Sequence, residues 1–336
     1  MKSIVDSLLG KPCSRPPLWL MRQAGRYLPE YKSFRKNFPQ FMDMCLTPEA
    51  VVEITLMPLK RFDFDAAILF SDILVIPYAL GQDVHFDEGR GPVLSPLDVD
   101  KLDPSHINEK LMPVYEGVRS LKSCLPEHIT FIGFSGAPWT LATYMIEGGT
   151  SRSFSKIFEF ALQHPHKFSQ LLSTLSQSII THLLNQIRCG VDVIQIFDSW
   201  AGVVPDCFFA SWVIQPLKEV FLAIRKEFPH VPIIYFPKNC SSQYQKIIAE
   251  LSPTALSIDS SVSLETMTSL HPFCATQGNL DPLVLRYGHQ ALIEKEVSLL
   301  KNLSLTSGRH IINLGHGILP DTPLENVEKM LSIVRS

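Results

Sequence analysis

A short apolar run followed by a longer stretch of helical periodicity recurs along this chain, and that alternation limits the folds open to it. The runs fall at 18–20, 66–70, 130–134, 191–197, 231–236, 255–258, 273–276 and 311–314. Each is near-continuously apolar or β-branched, as strands buried on both faces are, and the first is the shortest. Eight such strands alternating with helices predict a (β/α)8 barrel. The rival, a doubly wound open sheet, would want a glycine-rich dinucleotide turn after its first strand, and G-x-G-x-x-G occurs nowhere. At 336 residues the chain is long enough for one such barrel, residues 1–336 forming a single domain with an N-terminal extension. Two helix starts carry explicit signals: Thr47 before Pro48, and Thr322-Pro323-Leu324-Glu325 as a capping box.

Composition narrows the partners. A 46% hydrophobic and 19% charged chain is not disordered, collagenous or coiled-coil. A net charge of −3 gives no global basic field for nucleic acid or anionic membrane. The seven cysteines form no C-x-x-C pair and read as reduced thiols of a cytoplasmic protein. The N-terminus lacks a secretory apolar core. The most apolar stretch, 64–80, is broken by Asp65, Asp72 and Pro77, so no membrane span is expected.

Barrel active sites lie at the C-terminal ends of the strands. The polar residues just beyond the eight runs are Arg22 and Arg26; Asp72; Trp139 and Tyr144; Asp198 and Ser199; Lys238; Asp259; Gln277, Asn279 and Asp281; and His316. Residues 11–40 hold seven basic side chains against Glu30 alone, a net +6 that leaves −9 on the remainder. A solvated basic face is the ordinary reading of such a run. Here Arg occupies 22, 26 and 35, and a guanidinium grips carboxylate or phosphate bidentately. Ala24 and Gly25 let backbone amides approach a ligand, so the segment is read as anion-binding. Asp72, embedded in apolar neighbours, must be paired, hydrogen-bonded or functional. His316, between two glycines, is either a ligand-facing imidazole or a loop histidine. Gly148-Gly149-Thr150-Ser151 reads as a turn before a helix rather than a phosphate cradle, and His164-Pro165-His166 as a loop rather than a metal site.

At residues 17–31 (PLWLMRQAGRYLPEY) the chain resembles the N-terminal signature of the uroporphyrinogen decarboxylase family. The resemblance continues through 70–74 (FSDIL), 136–140 (GAPWT) with Tyr144, 197–199 (FDS), 277–282 (QGNLDP) and 313–317 (NLGHG), in the family's order. It implies a barrel, usually a homodimer, working without metal or organic cofactor. It further implies that Arg22, Gln23, Ala24, Gly25, Arg26 and Arg35 hold substrate carboxylates and backbone contacts. Asp72 becomes the central catalytic residue, with Tyr144, Ser199 and His316 lining the cleft. The implied reaction removes carbon dioxide from the four acetate arms of the cyclic tetrapyrrole uroporphyrinogen III, giving coproporphyrinogen III in haem biosynthesis. Two departures concern cleft shape: Ser260 follows Asp259 where the family commonly has tryptophan, and Asn239 stands where glycine is frequent. Two other classes compete with this one. Zinc-dependent methyl transfer would need a His-x-Cys pair where this chain has Lys238-Asn239-Cys240. A non-catalytic tetrapyrrole carrier would have no use for a lone central aspartate.

Overall fold

In the computed structural model, which describes residues 2–11, 13, 15–87, 89 and 91–336, seven strands form one parallel sheet. They are β1 (Ala66–Ile68), β4 (Thr130–Gly136), β5 (Val193–Asp198), β6 (Ile233–Pro237), β7 (Ala255–Ser257), β8 (Ala275–Leu280) and β9 (His310–Leu314), in that spatial order. Every residue of β4, β6 and β9 is buried, which explains the near-unbroken apolar signature of these strands. The intervening helices cover the outside, and the buried side chains join into one hydrophobic cluster running from Ile4 to Val334.

The eighth stave is the segment around Leu18, and it is stitched in rather than laddered. On the β9 side, Leu18 bridges Ile312 in parallel, with Trp19 N donating to Ile312 O (3.3 Å) and Ile312 N to Pro17 O (2.9 Å). On the β1 side, side chains replace most of the backbone rungs. Leu18 N donates to Asp65 Oδ2 (2.7 Å), while Asp65 N donates to Leu18 O (2.8 Å). Gln23 accepts from Leu20 N through Oε1 (3.2 Å) and donates through Nε2 to Ala66 O (2.9 Å). A sheet closed by side chains satisfies its buried backbone groups as a ladder does, but each closure is residue-specific. The expected barrel is therefore present as a parallel, helix-covered α/β sheet whose last gap is filled by a single-bridge stave.

Several local expectations are revised. The seventh strand starts two residues later than the apolar run, because Phe273 lies in the preceding turn and is exposed. The helix Leu324–Arg335 has no side-chain cap: Pro323 occupies the N-cap position and the buried Thr322 hydroxyl has no partner. Helix Pro48–Arg61 does begin after Thr47, but that hydroxyl donates back to Asp43 O. Gly148 ends helix Pro138–Glu147 in a left-handed conformation, and Gly149 meets Pro92 so closely that a Cβ would lie 2.5 Å from its carbonyl oxygen. Those glycines dock an antiparallel hairpin, β2 (Val84–Asp87) and β3 (Gly91–Leu94), that the sequence reading did not anticipate. Pro165 opens the helix Pro165–Arg188, so His164 and His166 flank a helix start.

Asp65 is the node of the seam. Its buried carboxylate also accepts from Arg15 Nη2 (2.7 Å) and from Arg335 Nη2 (2.8 Å) in the C-terminal helix. Asp65→Ala leaves the Leu18 amide unpaired and leaves Arg15 and Arg335 with Asp63 alone, so it should cost about 3 kcal/mol and lower Tm by about 4 °C. Thermal melting by circular dichroism checks this; an unchanged Tm would show that the seam holds without its carboxylate.

Candidate functional site

The interior of the barrel is polar at mid-height. Trp19 Nε1 donates to Gln277 Oε1 (2.9 Å), and Gln277 Nε2 reaches Gln195 Oε1 and Ser257 Oγ (both 3.1 Å). Alternate residues of a strand share a face, so Phe197 lies above Gln195, one layer nearer the C-terminal ends. There it meets Phe134 edge-on (centroids 5.5 Å, 85°) and Phe236 likewise (6.1 Å, 84°). Phe134 and Phe236 are buried and Phe197 is partly open, which makes the three rings an apolar floor. The sequence reading missed this floor, because aromatic residues within apolar runs carry no functional signal of their own.

Around the floor stand the loop residues. Asp72 is half-buried, and its Oδ1 accepts from Leu74 N (2.9 Å). Burial pushes its carboxyl up to about 6 against the pull of that amide and of Arg22. Tyr144, on helix Pro138–Glu147, is raised by burial and then by the Asp72 charge, while Arg22 acts in the opposite sense. Asp72, Arg22 and Tyr144 are therefore mutually within electrostatic reach. Tyr31, buried on helix Pro29–Arg35, is pushed up to about 12, chiefly by burial, and also feels Arg35, Arg26 and Asp72. Tyr31 thus joins the arginine segment to Asp72, a link the sequence reading did not draw. Ser199 is half-buried beyond β5, next to Trp200, whose buried Nε1 has no hydrogen-bond partner. The Ser71 hydroxyl beside Asp72 is likewise unpartnered.

The arginine segment divides by role. Arg22 and Arg26 are exposed and form no ion pair among the described residues. Arg22 takes a left-handed backbone (φ 62°), a strained setting for a non-glycine residue. Its side chain passes over Gly317, where a Cβ would lie 2.4 Å from Arg22 Cδ. Arg35 is partly buried and donates to Phe38 O. Ala24 and Gly25 are partly exposed in the turn. Gln23 differs from its neighbours: it is fully buried, its amide donates to Leu20 O (2.9 Å), and its side chain belongs to the seam. Both polar atoms of its side chain are engaged within the protein.

On the opposite wall, His316 Nδ1 accepts from Gly317 N, so Nε2 carries the imidazole proton. Burial, then Arg22, then Lys238, holds this ring down to about 3, and it is neutral. Asp198 faces away from the cleft and is fully buried, accepting from Thr140 Oγ1 (2.5 Å) and Tyr235 Oη (2.8 Å). Trp139 also faces outward, stacked on Trp212. Asn279 ties down the β7 loop through Asp259 O and Val262 O, and Asp281 caps Leu283 N (2.8 Å). No group of three or more His, Cys, Asp and Glu side chains suited to a metal ion occurs among the described residues.

Comparison with known proteins adds the following. The family model described as uroporphyrinogen decarboxylase (URO-D) matches residues 1–336. A uroporphyrinogen decarboxylase of Rhodospirillum rubrum is 46% identical over 340 residues, covering 100% of this chain and 97% of the relative. That of a Chelativorans species is 46% identical over 337 residues, covering 99% and 98%. That of Brucella anthropi is 44% identical, with the same coverage. Among solved structures, a methyltransferase from Methanosarcina mazei superposes with a TM-score of 0.79 over 99% of this chain and 97% of its own, at 16% identity, a likeness of fold.

The state of His316 is directly measurable. Its ring resonances should report the neutral Nε2–H tautomer from pH 8 down to pH 5. A protonation midpoint near 6.5, the ordinary value for an exposed histidine, would contradict the electrostatic setting described.

Proposed function

The chain belongs to the uroporphyrinogen decarboxylase family, a family of carboxy-lyases, and we propose that it converts uroporphyrinogen III to coproporphyrinogen III at the cleft between Arg22, Asp72 and His316. The observation that carries this reading is one half-buried carboxylate at the C-terminal end of the barrel, with no ion pair among the described residues, within electrostatic reach of an Arg22 guanidinium that has none either. A cyclic tetrapyrrole with acidic arms complements that pattern: a flat apolar ring system with inward N–H groups, ringed by carboxylates.

In outline, a proton adds to a ring carbon of one pyrrole and makes the ring cationic. The bond from the acetate methylene to its carboxylate then breaks. The bonding pair moves into the ring and neutralises it, carbon dioxide leaves, and an exocyclic methylene remains. A proton on that methylene gives the methyl group, and loss of the added ring proton restores the pyrrole. The balance for each arm is one carboxylate and one proton converted to one methyl group and carbon dioxide. The ring is its own electron sink, so the reading needs no organic cofactor. Asp72 stabilises the cationic ring from the pyrrole nitrogens, in a site where burial strengthens the attraction. Arg22, Arg26 and Arg35 hold the carboxylate arms, with Ala24 and Gly25 leaving room for them. Tyr144, Ser199 and His316 line the cleft. A neutral His316 does not deliver the ring proton as an imidazolium.

Zinc-dependent methyl transfer fits these residues poorly. Lys238 stands where a histidine ligand is needed, and the Cys240 thiol is held well above its ordinary range by burial and by Asp198 and Asp259. A purely carrying role leaves the Asp72 setting without purpose. We further propose that residues 1–336 act as one barrel unit, that the active form is a homodimer, and that the protein is cytoplasmic with neither nucleic-acid nor membrane partners. The single hydrophobic cluster supports the first, the family resemblance the second, and the unpaired cysteines and small net charge the last. The helical stretch Asp206–Glu227 is apolar and long, but it packs Trp212, Leu217, Phe221 and Ile224 into the core and carries Lys218, Arg225 and Lys226.

The deciding experiment is anaerobic incubation with uroporphyrinogen III under reducing conditions, followed by carboxylate counting. Sequential loss from eight carboxylates to four is expected, and recovery of intact substrate would refute the reading.

Asp72→Asn separates catalysis from structure. It should lower kcat by roughly a hundredfold or more, the scale of one preorganised electrostatic contact. Burial raises the folded-state pKa of Asp72 above its unfolded value, so the ionised side chain costs stability above pH 6 and the amide should leave Tm equal or higher. In the wild type, turnover should fall on the acid side with a midpoint near 6, as Asp72 takes up a proton. Full activity in the variant would overturn the role. Arg26→Lys keeps the charge but loses the fork, and KM should rise several-fold with Tm unchanged; a wild-type KM would assign Arg26 to solvent.

A further inference from the structure

A cavity of about 480 Å3 opens between the loops that follow β6, β7 and β9, with Arg22, Lys238, Asp259, Ser260, Ser261 and His316 among its walls. We infer that this cavity, on the Arg22 and His316 side of the same cleft, is a carboxylate subsite built on Lys238, and that it takes a propionate arm of the tetrapyrrole; the inference rests on the decarboxylase reading above.

Lys238 is held in place by its backbone. Lys238 N donates to Asp198 O (3.2 Å), and Gly202 N donates to Lys238 O (3.1 Å). The approach of Gly202 is close enough that a Cβ would lie 2.8 Å from that carbonyl oxygen and 2.5 Å from Asn239 O. Asn239 then turns through a left-handed backbone (φ 57°) and gives its amide to Asp259 Oδ2 (2.8 Å). The other Asp259 oxygen accepts from both the amide (3.0 Å) and the hydroxyl of Ser261. Asp259 attracts the lysine without pairing with it, and the remaining acid on the wall, Asp281, caps the following helix. Lys238 consequently has no ion pair among the described residues, although burial and Arg22 both weigh against its charge. Beside it, His316 offers a neutral Nε2–H donor. Ser260 is a small side chain on the same wall, where an indole would take up part of the space.

The identity of the arm follows from the chemistry. An acetate that leaves as carbon dioxide loses its charge in the transition state. A fixed cation on it would stabilise the ground state and oppose the reaction. Cations with no other task therefore belong on carboxylates that persist through all four turnovers, and those are the propionates.

Coproporphyrinogen III keeps every propionate and has no acetate, so its inhibition constant reads the subsite independently of turnover. Lys238→Met should raise both the KM for uroporphyrinogen and the Ki for coproporphyrinogen by roughly tenfold, the scale of one charge-assisted hydrogen bond. The value of kcat should stay within about threefold, and Lys238→Arg should recover most of the loss. Should the methionine variant fail to fold, Lys238→Gln is expected to give the same paired shift. A raised KM with unchanged Ki would assign Lys238 to an acetate, and an unchanged KM and Ki would return it to solvent; either overturns the inference while leaving the decarboxylase reading intact. A wild type without turnover would instead remove the decarboxylase reading itself.

Discussion

Everything at the cleft depends on how the segment around Leu18 is fastened between β9 and β1. Backbone bonds to Pro17 and Trp19 secure it on one side, and the side chains of Asp65 and Gln23 secure it on the other. Asn313 adds a third stitch by accepting from Met21 N (2.8 Å). These contacts flank Arg22, at Met21 and Gln23. The stave that closes the barrel is thus the platform from which the arginines project, and a shift of the seam is a shift of the anion-binding rim. Preorganisation of this kind is what lets electrostatic groups act without reorganising when charge develops.

The charges around the cleft form an asymmetric arrangement. Carboxylates at its edge are engaged by backbone amides: Asp72 by Leu74, Asp259 by Asn239 and Ser261, Asp281 by Leu283. The cations Arg22, Arg26 and Lys238 have no such engagement among the described residues. An unliganded protein carries that imbalance as a local positive field on a chain whose net charge is −3. Such a field raises the local concentration of polyanionic ligands and weakens with ionic strength. Neutral His316 belongs to the same arrangement, since burial first, and then the two adjacent cations, keep a third charge from forming.

Much of this was legible in the sequence, for identifiable reasons. Strands buried on both faces write their position as unbroken apolar runs, so all eight staves could be placed, including the short one at Leu18. The β2–β3 hairpin escaped because its four-residue strands are mostly partly or fully exposed, with Leu94 alone buried, and leave no such run. Arg22, Arg26 and Asp72 stood out because their types are costly or unusual where they fall. Gln23 was legible as a member of a motif but not as a rung of the seam, since its partners, Leu20 and Ala66, meet only in the closed barrel. Asp198 and Ser199 are adjacent in sequence, yet Asp198 is fully buried against Thr140 and Tyr235 while Ser199 is only half-buried, a difference that residue type does not announce. The expected cap at Thr322 failed because Pro323 took the N-cap position and left the hydroxyl unused.

The bridge between Leu18 and Ile312 joins two segments that are nearly the whole chain apart. Contacts so distant in sequence carry the greatest loop-closure entropy and form only after the intervening elements are in place. On the ribosome the first stave emerges early and waits for its neighbour until β9 has been synthesised. The arginine rim therefore gains its final geometry last, and a partly made or C-terminally truncated chain presents its basic segment without a cleft behind it. For this architecture the binding site is not closed until β9 is in place beside the first stave.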